Sequence, residues 1–156
     1  LGPAGTLMHN IDFFDGKDGL LIHADYYCLA DFGDFIDAHK NRPSDCLMTM
    51  MTFQTETPRT CGILELDSNN VVKAIHEKVE KPPGNIANGA IYILSSELIA
   101  ILKNEKKPIT NFSIDVLPKL VGKIYSYETQ DIFIDIGTED AYKKANSMGL
   151  KFLKDI

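Results

Sequence analysis

The chain has 156 residues, of which 44% are apolar and 24% charged, enough for one compact domain with a real core. A net charge of −6 argues against a nucleic-acid polymer as partner, and no apolar run reaches the roughly 18 residues of a membrane span. The three cysteines, Cys28, Cys46 and Cys61, form no C-x-x-C pair, and no secretion signal is visible. Together these point to reduced thiols and a cytoplasmic protein.

In chain order, Leu1 to Leu7 reads as a glycine-bearing loop. A chain that opens on a loop suggests a fragment. Leu20 to Ala24 is a short apolar run ending in Asp25, the pattern of a strand buried on both faces with an acid at its rim. Asp31 to Lys40 is predicted helical, with Phe32, Phe35, Ile36 and His39 on one face. Cys46 to Phe53 is a second buried strand, and Thr55 to Thr60 a loop. Residues 61–66 and 71–76 pair as a hairpin across Asp67-Ser68-Asn69-Asn70. The charged, proline-bearing stretch from His76 to Asn85 is expected on the surface, followed by a strand from Ile86 to Leu94. A helix capped by Ser95 or Ser96 runs to Lys103 with Leu98, Ile99, Ile101 and Leu102 inward. Another starts at Ser113 with Ile114, Leu117 and Val121 inward, shortened or kinked by Pro118 and stopped by Gly122. Short strands follow at Ile124–Tyr127 and Ile132–Ile134. The last helix starts at Thr138 and carries Tyr142, Ala145, Met148 and Phe152 on one stripe. This alternation, with one hairpin inserted, predicts an α/β fold built on a mostly parallel, mixed sheet with helices on both faces.

Several residues stand out chemically. Asp25 ends one apolar run and Asp135 another, Ile132-Phe133-Ile134-Asp135-Ile136-Gly137-Thr138. Two carboxylates at strand ends suit a hard divalent cation such as magnesium, if the fold brings them together. Each acid could equally cap a turn. Glu77-Lys78 closes the hairpin. On a strand the two would face opposite ways unless a bend follows. Lys78 could hold a phosphate and Glu77 accept hydroxyl protons, or both could be a solvated turn. Asn88-Gly89 interrupts an apolar strand, marking either a close ligand or backbone approach or a bulge. Gly2 and Gly5 could lay backbone amides against a base or phosphate, a weak signal alone. The four histidines show no metal spacing and read as structural, and Ser113 and Asp115 read as helix-start residues.

In this order the motifs resemble the sugar-1-phosphate nucleotidyltransferase family, the pyrophosphorylases that make nucleotide sugars. LGPAGTL is similar to the loop that holds the base, with Gly2 and Gly5. LLIHADYY resembles the L-x-x-N-G-D strand, whose acid, here Asp25, binds magnesium. Cys61-Gly62 resembles the Y-G that opens the sugar-binding hairpin, and His76-Glu77-Lys78 the E-K-P motif that holds sugar hydroxyls and the sugar phosphate. Asn88-Gly89-Ala90-Ile91-Tyr92 is similar to N-x-G-I-Y, and Phe133 to Thr138 to W-x-D-I-G-T, whose acid, here Asp135, is the second magnesium ligand. Pro3, His23-Ala24 and Val79 depart from the family pattern.

The resemblance implies a Rossmann-like nucleotidyltransferase domain over residues 1–156 without its amino-terminal G-x-G-x-R triphosphate loop. The chain would then be the carboxyl two-thirds of that domain, and inactive alone. It implies Mg2+ at Asp25 and Asp135, catalysis by Asp25, Asp135 and Lys78, and substrate contacts from Gly2, Gly5, Gly62, Glu77, Asn88 and Gly89. The partners are a nucleoside triphosphate and a sugar 1-phosphate, in nucleotide-sugar and polysaccharide biosynthesis. A homo-oligomer stays open. The base loop and E-K-V lean toward guanylyl transfer to mannose- or heptose-1-phosphate, with thymidylyl transfer to glucose-1-phosphate next. A non-catalytic nucleotide-sugar-binding subunit is the main alternative. A glycosyltransferase is weaker, since the strand end reads His23-Ala24-Asp25 rather than D-x-D.

Overall fold

The computed structural model describes the backbone of residues 1–152 and the side chains of residues 1–148. Its centre is strand β3 (Met48–Gln54), flanked by β6 (Ile86–Leu94), antiparallel, and β7 (Ile124–Glu128), parallel. Residues Met48 through Thr52 of β3 are all buried, as the apolar run required for a strand covered on both faces. Outside β6 lie β4 (Gly62–Leu66) and the hairpin partner β5 (Val72–Glu77), giving the order β5-β4-β6-β3-β7. β1 (Gly19–Ile22) pairs antiparallel with the other end of β6, Gly19 opposite Leu94. The α/β class and the mixed sheet are as expected, but the balance differs. Only β3·β7 is a parallel ladder among the described strands.

Helices cover both faces. On one side α1 (Gly2–His9), α3 (Ser96–Lys103) and residues 112–120 bury Ala4, Leu7, Leu98, Phe112 and Leu117 against Met48, Met50 and Tyr92. On the other, α2 (Phe32–Lys40) buries Phe35 against Met51, Ile91 and Ile93. Asp31 caps α2 by accepting from the Gly33 amide at 2.6 Å, and Ser95 caps α3 by accepting from the Leu98 amide at 3.1 Å. Two buried polar pairs cross the sheet's surroundings: His39 Nδ1 with Thr49 Oγ1 at 2.7 Å, and Thr52 with Ser126 at 2.9 Å. No described helix is long and apolar enough to cross a membrane.

Several expectations are corrected. Residues 1–7 are not a loop: Gly2–His9 is helical. Pro3 sits where a helix's first turn tolerates it, and Ala4 and Leu7 drop into the core. The Thr110 carbonyl accepts from the Ala4 amide at 3.2 Å, satisfying a free first-turn donor. β1 is not buried on both faces; Leu20 and Ile22 are 44% and 46% exposed, alternate residues on one uncovered face of the strand. Ile36 on α2 and Ile101 on α3 point to solvent.

The helix expected at Ser113 is instead a π turn, Phe112–Val116, followed by a 3-10 turn, Leu117–Leu120. Asn111, not Ser113, caps it, accepting from the Ile114 amide at 3.1 Å. Pro118 cannot donate into an α-ladder, and the change of pitch moves the buried set. Phe112, Val116, Leu117 and Leu120 are buried while Ile114 is 69% exposed. On α4 (Glu139–Phe152) Ala145 is buried and Tyr142 is exposed; the side chain of Phe152 lies outside the described residues.

Candidate functional site

Two chain segments far apart in sequence meet beside the sheet. β2 (Tyr26–Cys28) and β8 (Phe133–Asp135) form a two-stranded antiparallel ribbon with Tyr26 opposite Asp135. The Ile136 amide donates to the Asp25 carbonyl at 2.9 Å. The two acids are therefore neighbours across this ribbon, and both carboxylates are exposed at its end. Asp135 Oδ1 accepts from the Gly137 amide at 2.8 Å, which orients the carboxylate and leaves Oδ2 without a hydrogen-bond partner among the described residues.

The Tyr26 hydroxyl reads this environment. Burial first, then the charges of Asp135 and Asp25, and further Cys61 and Glu77, push its pKa up to about 12. A negative phenolate is disfavoured where carboxylates already converge.

A cleft of about 160 Å³ opens beside Tyr26. Glu77, Lys78, Gly62, Asn88 and Asp135 all line it. Glu77 and Lys78 share the cleft because the chain bends between them: Lys78 has φ +49°, a left-handed conformation that costs a non-glycine residue about 1 kcal/mol or more. Gly62 lies opposite Glu77 in the hairpin, and a Cβ there would stand 2.7 Å from Glu77 Oε2. Asn88 Oδ1 accepts from the Ala90 amide at 2.9 Å and the Tyr92 hydroxyl at 3.0 Å. Those bonds fix the carboxamide and leave its NH2 as a donor.

Other residues named from the sequence sit elsewhere. Gly89 faces away from the cleft, packed against the Met51 carbonyl and the Phe133 ring, within the register shift of β3 and β6. Of the two readings of that glycine, bulge and close backbone approach are what is observed. Gly2 and Gly5 pack against the 109–110 backbone and are not among the cleft's lining residues. Sequence reasoning missed Tyr26, Phe53, His23 and Ser113, which do line it. Tyr26 directly follows Asp25, the one available signal; Phe53 and Ser113 carried none.

Asp25 and Asp135 are exposed acids on adjoining chain segments, Asp135 lining the cleft and Asp25 not, and carboxylates are the donor type a hard divalent cation takes. Among the described residues no three His, Cys, Asp or Glu side chains group to hold a metal. A cation held by two carboxylates fills its shell with water and phosphate oxygens, the usual arrangement for magnesium. Cys28, Cys46 and Cys61 are free thiols, and burial pushes the pKa of Cys28 and Cys46 up.

Residues 1–151 match the nucleotidyl transferase family. Among curated proteins, the chain is similar to the glucose-1-phosphate adenylyltransferase of Mycoplasma mobile, 27% identical over 93% of this chain and 41% of the relative. It is also similar to that of Thermotoga maritima, 26% identical over 93% of this chain and 37% of the relative. It thus spans about two-fifths of the length of the curated relatives it matches. Among solved structures, HddC from Yersinia pseudotuberculosis superposes with a TM-score of 0.76 at 27% identity, covering 93% of this chain and 61% of that one. The same protein complexed with GMP-PN gives 0.74 at 28% identity. A putative glucose-1-phosphate thymidylyltransferase from Bacillus anthracis, at 21% identity, TM-score 0.77, and coverage of 94% and 60%, shares the fold. Fold, ribbon and cleft together with the match over residues 1–151 place the chain in the nucleotidyl transferase family.

Proposed function

We propose that the protein transfers a nucleotidyl group from a nucleoside triphosphate to a sugar 1-phosphate, releasing pyrophosphate and forming a nucleotide sugar. The carrying observation is that Glu77, Lys78, Asn88 and Asp135, drawn from three separate strands and their ends, line one cleft. A phosphate and a polyol need that combination of a cation, hydroxyl acceptors and an amide donor.

In the reaction an oxygen of the sugar phosphate bonds to the α-phosphorus, the α–β bridging bond breaks, and pyrophosphate leaves with that electron pair. The monoester is already largely ionised near neutral pH, its second pKa being about 6, so no residue must remove a proton. The chain's contribution is placement and charge compensation. Lys78 holds the nucleophilic phosphate, Glu77 accepts from ring hydroxyls, and the Asn88 NH2 donates to another. Asp25 and Asp135 would hold a divalent cation, which would neutralise charge on the α-phosphate.

For the base and sugar, guanylyl transfer to mannose- or heptose-1-phosphate is the first expectation, and a solved relative carrying GMP-PN supports a guanine nucleotide. Curated relatives named adenylyltransferases make ATP the competitor, with dTTP third. Pyrophosphate release by the full-length gene product, across these triphosphates and a panel of sugar 1-phosphates, tests the reading. Turnover is expected with one triphosphate dominant, and no turnover with any pair overturns it.

A further inference from the structure

The cleft does not end at the residues that would hold a hexose phosphate. Past Phe53, Thr60, Cys61 and Asp135 it opens into an outer lobe of about 680 Å³. The inner lobe, at about 160 Å³, is smaller than the 300–1,000 Å³ usual for small-molecule sites; the outer one lies within that range. Resting on the reading above, we propose that the acceptor is larger than a hexose 1-phosphate. An uncharged, polyhydroxylated extension of it, either a longer side chain or a second ring, occupies the outer lobe.

Three observations carry this. First, the lobe continues the sugar-facing hairpin: the strand that sets Gly62 against Glu77 runs back through Cys61 and Thr60 into the loop that forms the outer wall. Second, the loop side of the lobe carries the hydroxyls of Thr55, Thr57 and Thr60. Thr60 Oγ1 donates to the Thr57 carbonyl at 2.8 Å and lies 3.2 Å from Thr57 Oγ1. Thr57 in turn is tied to Thr55, whose Oγ1 accepts from the Thr57 amide at 3.1 Å. With its one proton given to the Thr57 carbonyl, Thr60 Oγ1 offers lone pairs to a polyol's hydroxyl donors. The floor is apolar, formed by Phe53 and Phe133 stacked with centroids 4.5 Å apart, a surface for the C–H face of a sugar.

Third, apart from Asp135, which the reading above gives to the cation, the lobe's charges among the described residues are one acid, Glu56, and one ammonium, Lys144, an acceptor and a donor for neutral hydroxyls.

The test is binding of named probes to the full-length protein, followed by calorimetry with Mg2+ present. α-Maltose 1-phosphate and a heptose 1-phosphate are compared with mannose 1-phosphate and glucose 1-phosphate. At least one extended probe is expected to bind about tenfold tighter than both hexose phosphates, the worth of one or two additional hydrogen bonds. Thr57→Phe fills the lobe from the loop side, and Lys144→Trp from the exposed face of α4. In each, provided its melting temperature stays near wild type, the preference should collapse to within twofold. The two variants guard against one failing to fold.

Hexose phosphates binding as tightly as both extended probes would overturn the inference while leaving the proposed reaction standing. So would a preference that survives both substitutions, or protection of the lobe by GTP alone. If no sugar 1-phosphate binds at all, the inference and the proposed function fall together.

Discussion

Tyr26 stands directly opposite Asp135 in the β2–β8 ribbon, and the residue before it is Asp25. Burial first and then the charges of Asp135 and Asp25 raise the phenol's pKa to about 12. A cation at the two acids would offset the field that Tyr26 feels. Adding Mg2+ near neutral pH should therefore shift the Tyr26 absorption band. Ultraviolet difference spectra of the wild type against Tyr26→Phe isolate that phenol from the other tyrosines, and need no substrate. A difference spectrum unmoved by millimolar Mg2+ would count against a cation at the acids.

Asp135→Asn should cut the rate by a hundredfold or more, the usual scale of losing one charge-stabilising group. The amide oxygen can still accept from the Gly137 amide, which the native carboxylate does at 2.8 Å, so the turn and the melting temperature should persist. Steady-state pyrophosphate release, with a melting curve beside it, separates the two effects. A variant within threefold of wild type would remove Asp135 from the chemistry.

His39 makes stability depend on pH. It is 3% exposed, and its pKa falls from 6.5 to about 4, chiefly from burial and then from the Arg42 charge, against an opposing pull from Asp18. Asp18 Oδ2 lies 3.5 Å from Nε2. The folded value is depressed, so the neutral ring favours the native state. Its contribution is complete above pH 6.5 and is lost as pH falls from there toward 4, on the order of 3 kcal/mol in all. Urea unfolding at pH 7 and pH 4.5 should show the drop. His39→Gln, which cannot protonate, should show a shallower one; equal slopes would count against a buried neutral imidazole.

Gly89→Ala should destabilise the sheet and press on the Phe133 ring that floors the outer lobe. Its Cβ would come within 2.8 Å of the Met51 carbonyl and 3.0 Å of the Phe133 ring. Backbone cannot retreat cheaply inside a central sheet, so a loss of about 1–3 kcal/mol is expected. Thermal melting measures it, and a melting temperature unchanged by the substitution would show that β3 and β6 yield at the bulge.

Much of the frame was legible because local chemistry and burial agree there. Asp31 and Ser95 cap helices where short polar side chains precede apolar spacing, and β6 runs from Ile86 to Leu94 as its composition requires. Agreement failed where tertiary contacts decide. The glycines of residues 2–9 favour a loop, yet Ala4 and Leu7 gain burial and the Thr110 carbonyl supplies an acceptor. Around Pro118 the helical period itself changes, so face assignments made at α spacing went astray. Within the site, Glu77, Lys78, Asn88 and Asp135 were legible as motif residues. Their convergence was not, because it depends on a bend at Lys78 and on a ribbon joining distant segments. The outer lobe was invisible for the same reason: its threonines are ordinary loop residues until Phe133 and α4 close over them.

The bend at Lys78 sets two demands on a single position. Asparagine or glycine would relax the main chain there but carry no ammonium; arginine would keep the charge on the same unfavourable backbone and reach further. Random change at this site therefore trades ease of folding against grip on the phosphate, and no single substitution improves both.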